Sequence, residues 1–239
     1  MLSVVRIFFL GLSFLFFTPI ALILCLLRPF NPDNLYFFAA TWGPVAHRIL
    51  GFRVVFTNRH IMKESRPCVF VMNHQTNYDL VLGGIIRIKR TVSLGKREIL
   101  WFPIFGLFYW LSGNILIKRE KRSKALKAME KVNKIIRDKN ISILIMPEGT
   151  RSKGRSLGKF KKGAFRTAIG AQVPIVPICA SSWHQNINLN KWNAGTLHIN
   201  VLDPISTQGM DTSSINSLTE TCREKMEKEI ERLNQLRKV

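Results

Sequence analysis

CVFVMNHQTNYDL, residues 68–80, carries the first decision about the fold. Cys68 to Met72 is an unbroken apolar run with the length and composition of a buried strand. Asn73 to Asn77 is polar, and a helix-like pattern begins near Asp79. A strand that ends in a histidine and reaches a carboxylate through a short polar loop is a common place for chemistry, and polar loops are also ordinary.

Outward from this stretch the same alternation repeats. Phe52–Thr57, Thr91–Gly95, Asn114–Ile117, Ile141–Met146, Ile175–Cys179 and Leu197–Val201 read as further strands, with helical patterns between them. That is an α/β chain whose mixed, largely buried sheet is flanked by helices. Between Ser123 and Asp138, Leu126, Met129, Val132 and Ile136 recur at helical spacing, with Lys124, Lys127, Lys131 and Lys134 on other faces. Leu218, Cys222, Met226, Ile230 and Leu233 form one stripe of a C-terminal docking helix, which a capping box from Ser217 to Glu220 is expected to open.

The first 50 residues differ in character. Ile7 to Leu27 is uncharged over about 20 residues, the length that crosses a hydrocarbon core, with Arg6 and Arg28 bracketing it. It is longer than a usual signal-peptide core and no A-x-A site follows, so a retained membrane anchor is expected. Pro19 would kink a straight helix, and spanning and lying in one leaflet both remain open. Leu35–Leu50 reads as a second helix at the interface. The expected division is therefore residues 1–50 as membrane-associated helices and 51–239 as the α/β body. Thirty-six Lys and Arg against fifteen Asp and Glu leave +21, a field that attracts nucleic acid, anionic lipid or phosphorylated substrates. No nucleic-acid module accompanies the charge, so nucleic acid is not expected as a partner. The anchor and the basic surface suit a body held at a membrane.

The cysteines, at 25, 68, 179 and 222, show no C-x-x-C spacing and read as small buried hydrophobes. Neither they nor the five histidines have metal-ligand spacing, so no metal and no cofactor are expected.

Three stretches could carry chemistry. His74 and Asp79 are five apart, too far round one helix to stack, whereas a strand end and a helix start could fold the carboxylate back onto the imidazole. The alternative is a solvated histidine and a helix cap. Pro147-Glu148-Gly149-Thr150-Arg151-Ser152 follows an apolar strand and leads through Lys153, Arg155, Lys159, Lys161 and Lys162 to a helix near Gly163. Strand, basic loop and helix start suit a phosphate, although Walker spacing is absent. Gly113 to Arg119 delivers Lys118 and Arg119 at a strand end. Trp101–Leu111 suits an acyl groove, the interface or plain core. Gly154-Arg155-Ser156-Leu157-Gly158 matches G-x-S-x-G but lacks the strand and helix a nucleophile elbow needs.

Asn73-His74 to Asp79, Gly113 to Arg119, Pro147 to Ser152 and Val173 to Ile178, in that order, resemble the blocks of the glycerolipid acyltransferases. The chain resembles in particular the bacterial membrane-bound 1-acyl-glycerol-3-phosphate acyltransferases (lysophosphatidate acyltransferases), over most of its length. The resemblance implies transfer of an acyl group from acyl-CoA or acyl carrier protein to lysophosphatidate, with phosphatidate as product. It implies His74 as general base and Asp79 as its orienting partner, and substrate contacts from Arg119, Glu148, Gly149, Thr150 and Arg151. Anionic membrane lipids are further expected partners, and the resemblance implies a catalytic body facing the cytosol at a bacterial inner membrane. Lys118 stands where an aspartate is common, and Met146 where phenylalanine is usual. A related acyltransferase using glycerol-3-phosphate or another lysophospholipid is the nearest alternative; a non-enzymatic, membrane-tethered polyanion binder is the alternative of a different class.

Overall fold

A computed structural model describes residues 1–117 and 122–236. In chain order the elements begin with α1 (Leu2–Leu27), α2 (Asn34–Leu50), β1 (Arg53–Thr57), α3 (Ile61–Glu64), β2 (Val69–Met72), α4 (Asp79–Ile86) and β3 (Thr91–Lys96). A 3-10 turn then precedes α5 (Phe105–Leu111), β4 (Ile115–Ile117), α6 (Arg122–Lys139), β5 (Ser142–Ile145), α7 (Gly163–Ala171) and β6 (Ile175–Ala180). The chain closes with α8 (Trp183–Asn186), β7 (Thr196–Val201) and α9 (Ile215–Gln235). Two compact units emerge, one of Met1–Phe52, Asn77–Ala125 and Asn188–Gly195, the other of Arg53–Thr76, Leu126–Ile187 and Thr196–Val239. The N-terminal helices thus share a unit with residues 77–125 instead of standing apart.

The second unit holds a mixed sheet with its strands in the order β1-β7-β6-β2-β5. β2 runs parallel to both β5 and β6, β1 runs parallel to β7, and only β6 and β7 are antiparallel within this order. Every residue of β2 and β6 is buried, which explains why both read as continuous apolar runs and not as alternating ones. Phe70, Met72, Ile143, Ile175, Ile178 and Leu197 form the core of the sheet, with Phe165 from α7. α9 packs on β6, β7 and α7. Its expected stripe is buried at Leu218, Cys222, Met226 and Leu233.

The expected capping box is not the start of α9. The helix begins at Ile215, and Ser217 lies inside it, its hydroxyl donating to the Ser214 carbonyl at 3.0 Å. Burial of Ile215 on the same face as Leu218 requires the helix to start earlier, and Asp211, accepting the Ser213 N–H at 2.8 Å, turns the chain into it.

In the first unit α1 packs on α2 and α5, and α2 on α4. Phe14, Phe38, Trp42, Phe105 and Phe108 form one aromatic cluster, with Phe14 5.2 Å from Trp42 and Phe38 4.8 Å from Phe108 between ring centroids. α2 and α4 cross at Gly43 and Gly84, where a Cβ on Gly43 would lie 2.7 Å from the Gly84 carbonyl oxygen. α1 is helical throughout, including Pro19. Near its start the buried Arg6 guanidinium donates to the carbonyls of Leu189, Lys191 and Trp192 at 3.1, 2.9 and 2.7 Å. Beyond this end its apolar side chains are largely exposed, among them Phe8, Leu15, Phe16 and Leu27. The Trp101–Leu111 stretch divides: Trp101, Phe102 and Ile104 are exposed, whereas Phe108, Tyr109 and Leu111 are buried.

Candidate active site

His74 stands two residues beyond the end of β2, and its backbone is bonded on both sides. Its N–H donates to Glu148 Oε1 at 2.7 Å, and its carbonyl accepts the Ser152 N–H at 2.9 Å. The next carbonyl, of Gln75, accepts the Lys153 N–H at 3.1 Å. The histidine loop and the loop after β5 are therefore zipped together, as their positions at the ends of two neighbouring parallel strands allow.

Glu148 is the centre of this arrangement. Its side chain is buried, and its second oxygen accepts the Gly158 N–H at 3.0 Å, so one carboxylate joins the histidine loop to the basic segment that follows. A carboxylate buried in this way requires strong donors to offset its desolvation. Gly149 makes the turn possible: its φ is +70°, and its N–H donates to the Met146 carbonyl at 3.1 Å. Farther along, the Lys161 N–H closes on the Pro147 carbonyl at 2.8 Å, so the basic segment is bounded at both ends. A cleft of about 260 Å³ borders the loops, lined among others by Asn73, Gln75, Glu148, Ser152 and Arg155.

Of the residues singled out in the sequence, His74, Glu148 and Gly149 meet in one unit, and Thr150 and Arg151 are exposed on the same loop. Asp79 is the first residue of α4 in the other unit and is buried. Arg119 lies outside the described residues, as does Lys118. Two side chains with no role assigned from sequence, Asn73 and Gln75, are buried on either side of His74. The available signal was their position: two amides flanking a histidine directly after a strand that is otherwise all apolar. Ser156 sits in an irregular segment with neither strand nor helix adjoining it, so G-x-S-x-G is no elbow here. The four cysteines are buried thiols. Burial pushes Cys68 up to about 12, which removes it as a nucleophile at neutral pH. Among the described residues no group of three His, Cys, Asp or Glu side chains is placed to hold a metal.

A partly exposed imidazole on so constrained a backbone can take a proton from a hydroxyl, and the exposed cations after Glu148 can attract an anionic group beside it. Residues 53–181, a little over half of the chain, match the acyltransferase family. The chain belongs to the acyltransferase family. This acyltransferase is 37% identical to the 1-acyl-sn-glycerol-3-phosphate acyltransferase of Haemophilus influenzae over 98% of both chains. It is 38% identical to the enzyme of that name from Escherichia coli, over 89% of this chain and 86% of that one. The human 1-acyl-sn-glycerol-3-phosphate acyltransferase alpha is 33% identical over 89% of this chain and 75% of its own length. The crystal structure of the 1-acyl-sn-glycerophosphate (LPA) acyltransferase of Thermotoga maritima shares the fold, with a TM-score of 0.72 over 97% of each chain at 21% identity. The matched family region begins with β1 and runs one residue past β6, so it takes in both loops of the site.

Proposed function

We propose that this acyltransferase moves a fatty acyl group from an acyl thioester, acyl-CoA or acyl carrier protein, to the sn-2 hydroxyl of 1-acyl-glycerol-3-phosphate, forming phosphatidate. The observation that carries the reading is the Glu148 bridge, which joins a constrained histidine loop to a cationic segment, in a chain alike over nearly its full length to acyltransferases of that name. A thioester already has a good leaving group, so the work left to the protein is to deprotonate the alcohol, orient it and stabilise the oxyanion. His74 is the general base and Asp79 orients it. As the hydroxyl oxygen attacks the thioester carbon, its proton passes to the imidazole; collapse of the tetrahedral intermediate breaks the carbon–sulfur bond, and the proton goes on to the thiolate. Arg151, with Arg119, Gly149 and Thr150, serves the glycerol phosphate, the cations meeting its charge, and Glu148 serves it by bracing the loop that leads to them.

Catalysis takes place at a membrane surface. The exposed apolar side chains of α1 suit a lipid environment, and the net charge of +21 suits an anionic leaflet, with the catalytic body on the cytosolic side.

The test is transfer of labelled acyl groups from acyl-CoA and acyl carrier protein to 1-acyl-glycerol-3-phosphate, glycerol-3-phosphate and other lysophospholipids, with His74→Ala alongside. Phosphatidate formed from the first acceptor, and lost with His74→Ala while membrane association persists, is the expected result. Transfer only to another acceptor would change the substrate. Inactivity of the folded wild type with every pair would overturn the reading.

A further inference from the structure

β2 and β6 are parallel, with Val69 opposite Ile175, Phe70 opposite Val176, Val71 opposite Pro177 and Met72 opposite Ile178. Continuing that register would set His74 opposite Ala180. In a parallel ladder a residue bonds to the two neighbours of its opposite number. A continued β2 would therefore give Ala180 the backbone carbonyl of Asn73 and the backbone N–H of Gln75.

The structure meets Ala180 with the side chains of those two residues instead. Asn73 Oδ1 accepts the Ala180 N–H at 2.9 Å, and Asn73 Nδ2 donates to the Ala180 carbonyl at 3.0 Å. Gln75 Nε2 donates to the same carbonyl at 3.2 Å and to that of Ser181 at 2.9 Å, while Gln75 Oε1 accepts the Trp183 N–H at 3.0 Å. Both side chains are buried, at 4% and 6% exposure. Burying two amides is costly, and these five bonds offset the cost. The exchange satisfies the end of β6 that faces β2 with side chains and leaves the backbone of His74 and Gln75 to partners outside that ladder. That backbone is what bonds to Glu148, Ser152 and Lys153.

We infer that Asn73 and Gln75 are positioning residues, which by standing in for the next rung of the β2–β6 ladder release the backbone of His74 and aim its imidazole. This rests on His74 being the base. Neither amide needs to touch substrate: each acts through the histidine between them. A simpler strand exit would need no pair of buried amides, because an apolar residue with a backbone rung would satisfy Ala180 equally well.

The test is steady-state kinetics of Asn73→Asp and Gln75→Glu in the full-length enzyme, with thermal unfolding to establish that each is folded. Both replacements keep shape and the acceptor oxygen but remove the N–H donors, setting a carboxylate against the Ala180 carbonyl. Because a misplacement of about 1 Å can cost roughly 100-fold, kcat is expected to fall 10- to 100-fold while acceptor KM stays within about threefold. Should Asn73→Asp fail to fold, Gln75→Glu, nearer the loop's outer end, carries the test, and Gln75→Met repeats it without an added charge. Unchanged kcat in folded variants, or a loss confined to KM, would overturn the inference. Full turnover by His74→Ala would instead remove the proposed base; an inactive His74→Ala beside fully active amide variants removes only the positioning role.

Discussion

The Glu148 carboxylate accepts the backbone N–H of His74 at 2.7 Å, and with its other oxygen the N–H of Gly158 at 3.0 Å. Both oxygens are needed. Glu148→Gln presents an NH2 to one of the two donors, leaving a buried N–H facing another. A loss of about 1–3 kcal/mol of stability is expected, the range for a buried donor left without its acceptor. Turnover should fall more than acceptor affinity, because the histidine loop loses its brace. Denaturant unfolding beside acyl-transfer kinetics checks both, and an unaltered kcat with a raised acceptor KM would make Glu148 a substrate ligand instead of a brace.

Gly43 and Gly84 let α2 and α4 touch backbone to backbone. A Gly43 Cβ would meet the Gly84 carbonyl oxygen at 2.7 Å and its Cα at 2.9 Å, and no side chain is there to move aside. Gly43→Ala is expected to cost about 1–3 kcal/mol through overpacking. Gly83→Ala, on α4 beside Gly84 with nothing within 4 Å of its Cβ position, should be neutral or slightly stabilising. Melting temperatures of the two variants, compared in one detergent, separate close approach from the general effect of replacing a helical glycine.

Burial holds Cys68 and Cys222 at about 12 and Cys179 well above the ordinary thiol value, and Cys25 is fully buried. With the thiolate scarce and shielded, iodoacetamide at pH 8 should leave the native enzyme unlabelled and active. All four thiols should react once the chain is denatured. Mass spectrometry of the intact protein counts the adducts, and labelling with loss of activity in the folded state would contradict the expectation.

Glu229 on α9 is held below the usual carboxylate range, first by its hydrogen bond from Arg232 and also by that from the Asn200 amide, against the opposing effect of burial. A carboxyl depressed in the folded state stabilises fully above its unfolded value, about 4.3, and loses that contribution as pH falls through the folded value. Glu229→Gln should therefore unfold more easily than wild type at pH 7, with the difference closing below about pH 4. Urea midpoints measured across that range check it; a difference that stays constant would remove the charge from the account.

β2 and β6 were legible because burial on both faces writes itself as a continuous apolar run, Val69–Met72 and Ile175–Ala180. Helix boundaries were less so. Ser217 and Glu220 have the spacing of a capping box, yet the helix had already begun, since a local motif carries no record of which face Ile215 must bury. Trp101 to Leu111 could not be apportioned from composition: its exposed Trp101 and buried Phe108 are equally apolar.

By itself the sequence determined the kind of molecule: an apolar N-terminal helix, an α/β body, a histidine at the end of a buried strand, and a basic loop after another. These follow from local pattern, because hydrophobic periodicity and turn chemistry act over a few residues. Only the tertiary structure decided what Asn73, Gln75 and Glu148 do. The partners of the two amides, Ala180, Ser181 and Trp183, and the His74 N–H that Glu148 accepts, are remote in the chain and are backbone groups. A backbone N–H or carbonyl is the same at every residue, so which one a buried side chain meets is set by strand order and register.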